Sequence, residues 1–133
     1  MVRLFSLLMF LLLLLSCGSS EKEKQEESTY SISDGNMNDL PSHVYDNQNL
    51  VFISVRNCHL KVISSKIIEF EKLEVLYLNG NELSQQSLRN VFRIRNLRRL
   101  EISGNRIESL PNEKISLHNL QALNLSNNSL SAL

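Results

Sequence analysis

Apolar residues recur along this chain in groups with a fixed internal spacing. In the stretch 73–83 they are Leu73, Leu76, Leu78 and Leu83, at positions 1, 4, 6 and 11, and Asn81 holds position 9. The same set returns at Leu97, Leu100, Ile102, Asn105 and Ile107, and again at Leu120, Leu123, Leu125, Asn128 and Leu130. Upstream it is Leu50, Ile53, Val55, Cys58 and Leu60, so the groups start at residues 50, 73, 97 and 120. Around positions 4 to 6 the pattern has the two-residue period of a strand: Leu76 and Leu78 face one side, Tyr77 the other. One such strand cannot bury its apolar side alone. Stacked on its neighbours, it builds a parallel sheet over a continuous core.

Four groups in register resemble the leucine-rich repeat family, whose pattern is L-x-x-L-x-L-x-x-N/C-x-L. The resemblance implies an α/β solenoid. A short parallel sheet lines the concave side, and irregular or short helical segments form the convex side. About four full repeats follow a degenerate amino-terminal repeat. Position 9 lies where the chain leaves the strand and backbone groups lose their partners. A side-chain amide offers donors and an acceptor to satisfy them from inside. Cys58, Asn81, Asn105 and Asn128 form this ladder. Just before it, Gly80, Gly104 and Asn127 suit the left-handed backbone of a tight turn.

Counting back one period from Leu50 places Tyr30, Ile32, Gly35 and Met37 at positions 4, 6, 9 and 11 of a polar-edged first repeat, with its strand near Thr29–Ser33. Between strands, Ser42–Asn49 reads as irregular and Ser64–Lys72 as a short helix or 3₁₀ turn. Ser84–Ile94 is the best helix candidate, with Leu88, Val91 and Phe92 on one face and Ser84 as N-cap. An Asn column precedes position 1 at Asn49, Asn96 and Asn119, broken by Lys72. A last strand near Ala122–Leu125 would present an open edge, an invitation to self-association.

The amino end is a different kind of sequence. Arg3 precedes an apolar run, Leu4–Leu15, of signal-peptide length. The run is short of the roughly 20 residues a membrane span needs. It ends in Leu14-Leu15-Ser16-Cys17, similar to the lipobox of bacterial lipoproteins. That resemblance implies cleavage before Cys17 and acylation of its thiol, hence attachment to a membrane. An ordinary secretory signal and a retained anchor are the alternatives. Gly18–Glu27 has no apolar residue and reads as a disordered tether. The expected organisation is a signal peptide over 1–16, a lipidated Cys17 with its tether over 17–28, and a repeat domain over 29–133.

Charge adds little. Fourteen basic residues face fourteen acidic ones, and removing Arg3 with the leader leaves thirteen against fourteen. Nothing in that balance points to nucleic acid. Arg89, Arg93, Arg95, Arg98 and Arg99 form the densest basic stretch, a candidate anion site. The repeat register offers a structural account instead. Glu69, Glu71, Glu74 and Glu82 occupy the repeat positions of Arg93, Arg95, Arg98 and Arg106, so adjacent repeats would pair by charge.

No phosphate loop, metal-ligand spacing or nucleophile elbow is present, so no enzyme activity, metal or cofactor is expected. His43, His59 and His118 stand apart in sequence and read as surface residues. Asn124-Leu125-Ser126 and Asn127-Asn128-Ser129 match the glycosylation acceptor pattern but also follow from the repeat itself. Positions 3, 5 and 7 of each repeat point to the concave face, where the family binds its partners. Phe52, Arg56, Val75, Tyr77, Arg99, Glu101 and Asn124 are the candidate binding residues; aromatics and arginines are the residue types that dominate interfaces. The sequence therefore suggests a lipid-anchored module of the cell envelope that binds a protein or glycan. The alternatives are a secreted repeat protein without a lipid anchor, or the recognition part of a larger enzyme or effector.

Overall fold

The structure is a computed structural model that describes residues 28–112 and 115–131. Cys17, the leader and the tether up to Glu27 lie outside the described residues. Five strands run in chain order: β1 (Thr29–Ser33), β2 (Phe52–Arg56), β3 (Val75–Tyr77), β4 (Arg99–Glu101) and β5 (Ala122–Asn124). Each is parallel to the next in one sheet of order β1-β2-β3-β4-β5. The register is that of the repeat: Ile53 pairs with Leu76, Leu76 with Leu100, and Leu100 with Leu123. The first repeat joins in the same way, with Tyr30 beside Ile53 and Ile32 beside Val55. Its ladder begins at Ser28, whose carbonyl accepts from Val51 and Phe52 amides at 2.8 and 3.2 Å. Ser28, just before β1, is thus hydrogen-bonded to the second repeat through its backbone.

Positions 1, 4, 6 and 11 build the core. Leu50, Ile53, Val55 and Leu60 of one repeat, and Leu73, Leu76, Leu78 and Leu83 of the next, are all buried. Towards β5 the burial fails. Leu123 is 43% exposed and Ile115 44%, because the described residues place no strand on its outer side.

The position-9 side chains hold the turns together across repeats. Asn81 Oδ1 accepts from the amides of Cys58 and Leu60 in the preceding repeat, at 3.0 and 3.1 Å. Its Nδ2 donates to the carbonyls of Val55 and Leu78, at 2.8 and 3.0 Å. Asn105 and Asn128 repeat the arrangement one and two rungs on: Asn105 Nδ2 reaches Leu78 O, and Asn128 Oδ1 accepts from Asn105 N. Cys58 does less. Among the described residues its thiol bonds only Arg56 O, at 3.1 Å, within its own repeat. Position 8 is left-handed in every repeat: Asp34, Asn57, Gly80, Gly104 and Asn127 all have φ between 52° and 67°. At Gly80 a Cβ would also meet the Asn57 side-chain oxygen, which would have to turn aside.

The convex side departs from expectation in one place. Ser42–Asp46 is not irregular; it forms a short helix, α1. Val44 and Tyr45 anchor it in the core. The Tyr45 hydroxyl donates to Asp39 Oδ1 at 2.8 Å and accepts from the Ser64 amide at 2.8 Å, which ties the first two repeats together. Burial, and then the bond to Asp39, push this phenol well above its usual pKa. The segment Ser65–Glu69 is the expected 3₁₀ turn, and Gln85–Val91 the expected helix, α2. Ser84 caps α2 by accepting from Ser87 N. The polar residues of α2 are not all on a solvent face. Ser87 and Asn90 are buried, where Ser87 Oγ donates to Lys61 O at 2.9 Å and Asn90 Nδ2 to Ile63 O at 2.7 Å. They act as a second ladder for the convex backbone.

Candidate functional site

The concave face shows the strand columns in the expected register: Phe52 beside Val75 beside Arg99 beside Ala122, and Ser54 beside Tyr77 beside Glu101 beside Asn124. In a parallel sheet, long side chains of adjacent strands reach their diagonal neighbours. Tyr77, on the middle strand, is where they meet. Phe52 approaches it edge to face, ring centroids 5.4 Å apart. The Arg56 guanidinium lies 4.8 Å from the Tyr77 ring centroid. From the other side Arg99 Nη1 donates to the Tyr77 hydroxyl at 3.3 Å. That bond, more than the neighbouring Glu101, raises the Arg99 pKa further above its usual value.

Glu101 completes the cluster, 4.0 Å from Arg56. Its carboxylate is held by Asn79 Nδ2 at 2.9 Å, while Asn79 Oδ1 accepts from the Ser103 amide and hydroxyl at 3.0 and 2.9 Å. Asn79 was absent from the sequence-based set. Its position-7 place on the concave face and its amide were the available signals.

Of the seven residues expected on this face, Phe52, Arg56, Tyr77, Arg99 and Glu101 form one cluster. Val75 sits in register between Phe52 and Arg99. Asn124 stands outside the cluster, its Oδ1 accepting from the Ser126 amide and hydroxyl. Two details correct the sequence picture. Phe52 and Tyr77 are half-buried rather than exposed, because they cover each other, and Ser54 between them is buried. Position 5 on a concave sheet is therefore not automatically open to solvent.

The basic stretch is dispersed. Arg99 joins the concave cluster, Arg98 turns to the strand rim, Arg89 lies on α2, and Arg93 and Arg95 follow it. Only one of the four expected charge pairs forms, Glu74 with Arg98 at 3.7 Å. Both side chains are about half exposed, so the pair contributes little. Glu82 turns the other way. It meets His59 Nδ1 at 2.9 Å and Lys61 at 3.6 Å, and the His59 contact is the chief reason its pKa is lowered. His59 is thus a surface residue but not an isolated one, and His43 packs edge to face with Tyr30.

A groove of about 480 Å³ runs along the rim where the strands begin. Its polar groups are engaged with the solenoid itself: Glu74 with Arg98, Asn96 Nδ2 with Glu71 O at 2.7 Å, and Lys72 with Asn49 Oδ1. Lys72 therefore fills the Asn column that it breaks in sequence. The concave cluster differs, because its guanidinium donors remain available.

The chain is similar in sequence to two family descriptions: Leucine rich repeat over residues 48–107, and Leucine Rich repeats (2 copies) over residues 95–133. Comparison with curated proteins gave no match.

Proposed function

The chain is an α/β leucine-rich repeat solenoid, a fold that generally serves as a protein-interaction module, and from that premise we propose that it is a non-catalytic module binding a protein or glycan through its concave face at the cell envelope. The observation that carries this reading is the cluster around Tyr77. Two arginines and two aromatics meet there on an open sheet, with the side-chain types that anchor interfaces. Solenoids use their concave surface for partners because it is wide and built from rigid strands.

The anchor in this proposal is lipid on Cys17. Acyl chains contribute ~0.8 kcal/mol per buried CH₂, and more than one chain is needed for stable attachment. The support is Leu14-Leu15-Ser16-Cys17 after an apolar run of signal length. Mass spectrometry of the amino-terminal peptide from the membrane fraction should find an acylated Cys17. Cys17→Ala should move the protein to the soluble fraction with an unmodified leader junction. An unmodified amino end in the wild type would make this a freely secreted module, and the anchor would leave the proposal.

The outer side of β5 favours one further property, self-association. Leu110, Ile115, Leu123 and Leu130 are each between 39% and 44% exposed, and they gather at that end of the stack. Light scattering across a concentration series should show mass rising above the monomer for the wild type and staying at the monomer for Leu123→Glu. A wild type that stays monomeric throughout would remove this property.

A further inference from the structure

The concave face carries few charges. Of the fifteen side chains at positions 3, 5 and 7 of the five strands, three are charged: Arg56, Arg99 and Glu101. The face is therefore net positive in a chain whose charges balance overall. Its one carboxylate is already held by Asn79 and lies no closer than 4.0 Å to Arg56. Among the described residues Arg99 has a single hydrogen bond, to the Tyr77 hydroxyl, and no ion pair.

Each guanidinium presents five N–H donors in a planar fork that matches a carboxylate. Most of these donors have no protein acceptor among the described residues. Both forks are nonetheless held in place, Arg56 by stacking on the Tyr77 ring and Arg99 by its bond to the Tyr77 hydroxyl. Groups fixed before a partner arrives lose less conformational freedom on binding.

We propose that the Arg56–Tyr77–Arg99 diagonal docks an acidic segment of a protein partner, with aspartate or glutamate carboxylates on the two guanidinium forks. The inference rests on the concave-face reading above and gives the partner its chemistry. A protein segment is favoured over a simple anion by what flanks the forks. Phe52 and Val75 leave half-buried apolar surface beside Arg99 and Tyr77, a seat for an apolar side chain next to the acid. Five strands spaced ~4.8 Å apart make the face roughly 20 Å wide, enough for about six extended residues. Inorganic phosphate or an acidic sugar would use the forks and leave the apolar seat empty.

The test uses the full chain and an array of ten-residue peptides. Each peptide carries two acidic residues and one aromatic in every arrangement, and a matched array replaces the acids by Asn and Gln. The acidic array should contain binders that the amide array lacks. Arg56→Gln and Arg99→Gln should each weaken binding by roughly tenfold or more, as loss of a charge-assisted bond does. Arg93→Gln, beyond α2, should leave it unchanged. Circular dichroism of each variant should match the wild type, since both arginine side chains are exposed. Equal binding to both arrays, lost in Tyr77→Ser, would overturn the acidic inference and leave the concave-face reading intact. Binding to neither array would overturn the inference. So would an acidic-peptide signal that both arginine variants retain, or one that equimolar inorganic phosphate displaces.

Discussion

Asn81→Ala is expected to remove a large part of the domain's stability, about 3–5 kcal/mol, although it deletes no apolar surface. The side chain is 3% exposed and bonds four backbone groups within 3.1 Å: the amides of Cys58 and Leu60, and the carbonyls of Val55 and Leu78. Three of these lie in the preceding repeat. Truncation leaves the amides of Cys58 and Leu60 and the carbonyl of Val55 buried without that partner, while Leu78 O keeps its bond from Asn105 Nδ2; each unsatisfied group costs ~1–3 kcal/mol before relaxation. A domain of this size holds only ~5–15 kcal/mol in total. Urea unfolding followed by circular dichroism measures the loss. Asn81→Asp separates packing from bonding. It keeps the size and the acceptor but turns an oxygen towards Val55 O and Leu78 O, so at neutral pH it should be at least as damaging as alanine. A midpoint within experimental error of wild type for both variants would mean the ladder is not what joins the repeats.

The ladder also shows how far the sequence could be read. A spacing rule identified Asn81, Asn105 and Asn128, and the chemistry of a primary amide gave their role. Cys58 occupied the same place, but a thiol has no second donor and cannot bridge two carbonyls. The first repeat is instead joined by Asn57 Nδ2 to Asp34 Oδ1 at 3.2 Å and by Tyr45 reaching Asp39 and Ser64. Only two buried apolar residues, Val44 and Tyr45, mark α1, and its tertiary partner Ser64 lies nineteen residues away. Periodicity within a short window cannot show such a helix.

The strands were legible to within a residue because period two and period 23 or 24 agree at the same positions. The charge pairs were not. Repeat register places Glu82 beside Arg106, but it equally places Glu82 beside His59, and the side chain took the upstream partner. Equivalent positions have a neighbour on each side, so register alone cannot choose between them. The concave cluster was half legible. The columns put Phe52, Arg56, Tyr77, Arg99 and Glu101 on one face, but only the diagonal reach of long side chains assembles them on Tyr77.

The second large effect should distinguish the middle of the stack from its end. Leu76, Leu100 and Leu123 occupy the same position in successive repeats and are paired in register. Leu76 and Leu100 are fully buried, whereas Leu123 is 43% exposed. Leu76→Ala and Leu100→Ala each remove a side chain that neighbouring repeats enclose on both sides, and the cavity cannot collapse without moving the sheet. The expected cost is ~2–5 kcal/mol each. Leu123→Ala should cost less than ~1 kcal/mol, because solvent already reaches that side chain. In a one-dimensional stack, each repeat is stabilised by its own interior and by its contact with each neighbour. A central lesion breaks two contacts and a terminal one breaks a single contact. Thermal unfolding of the three variants tests both statements. If Leu123→Ala destabilises as much as Leu100→Ala, the outer side of β5 must be covered in solution. Self-association would then be the first cause to test, since its contribution grows with protein concentration.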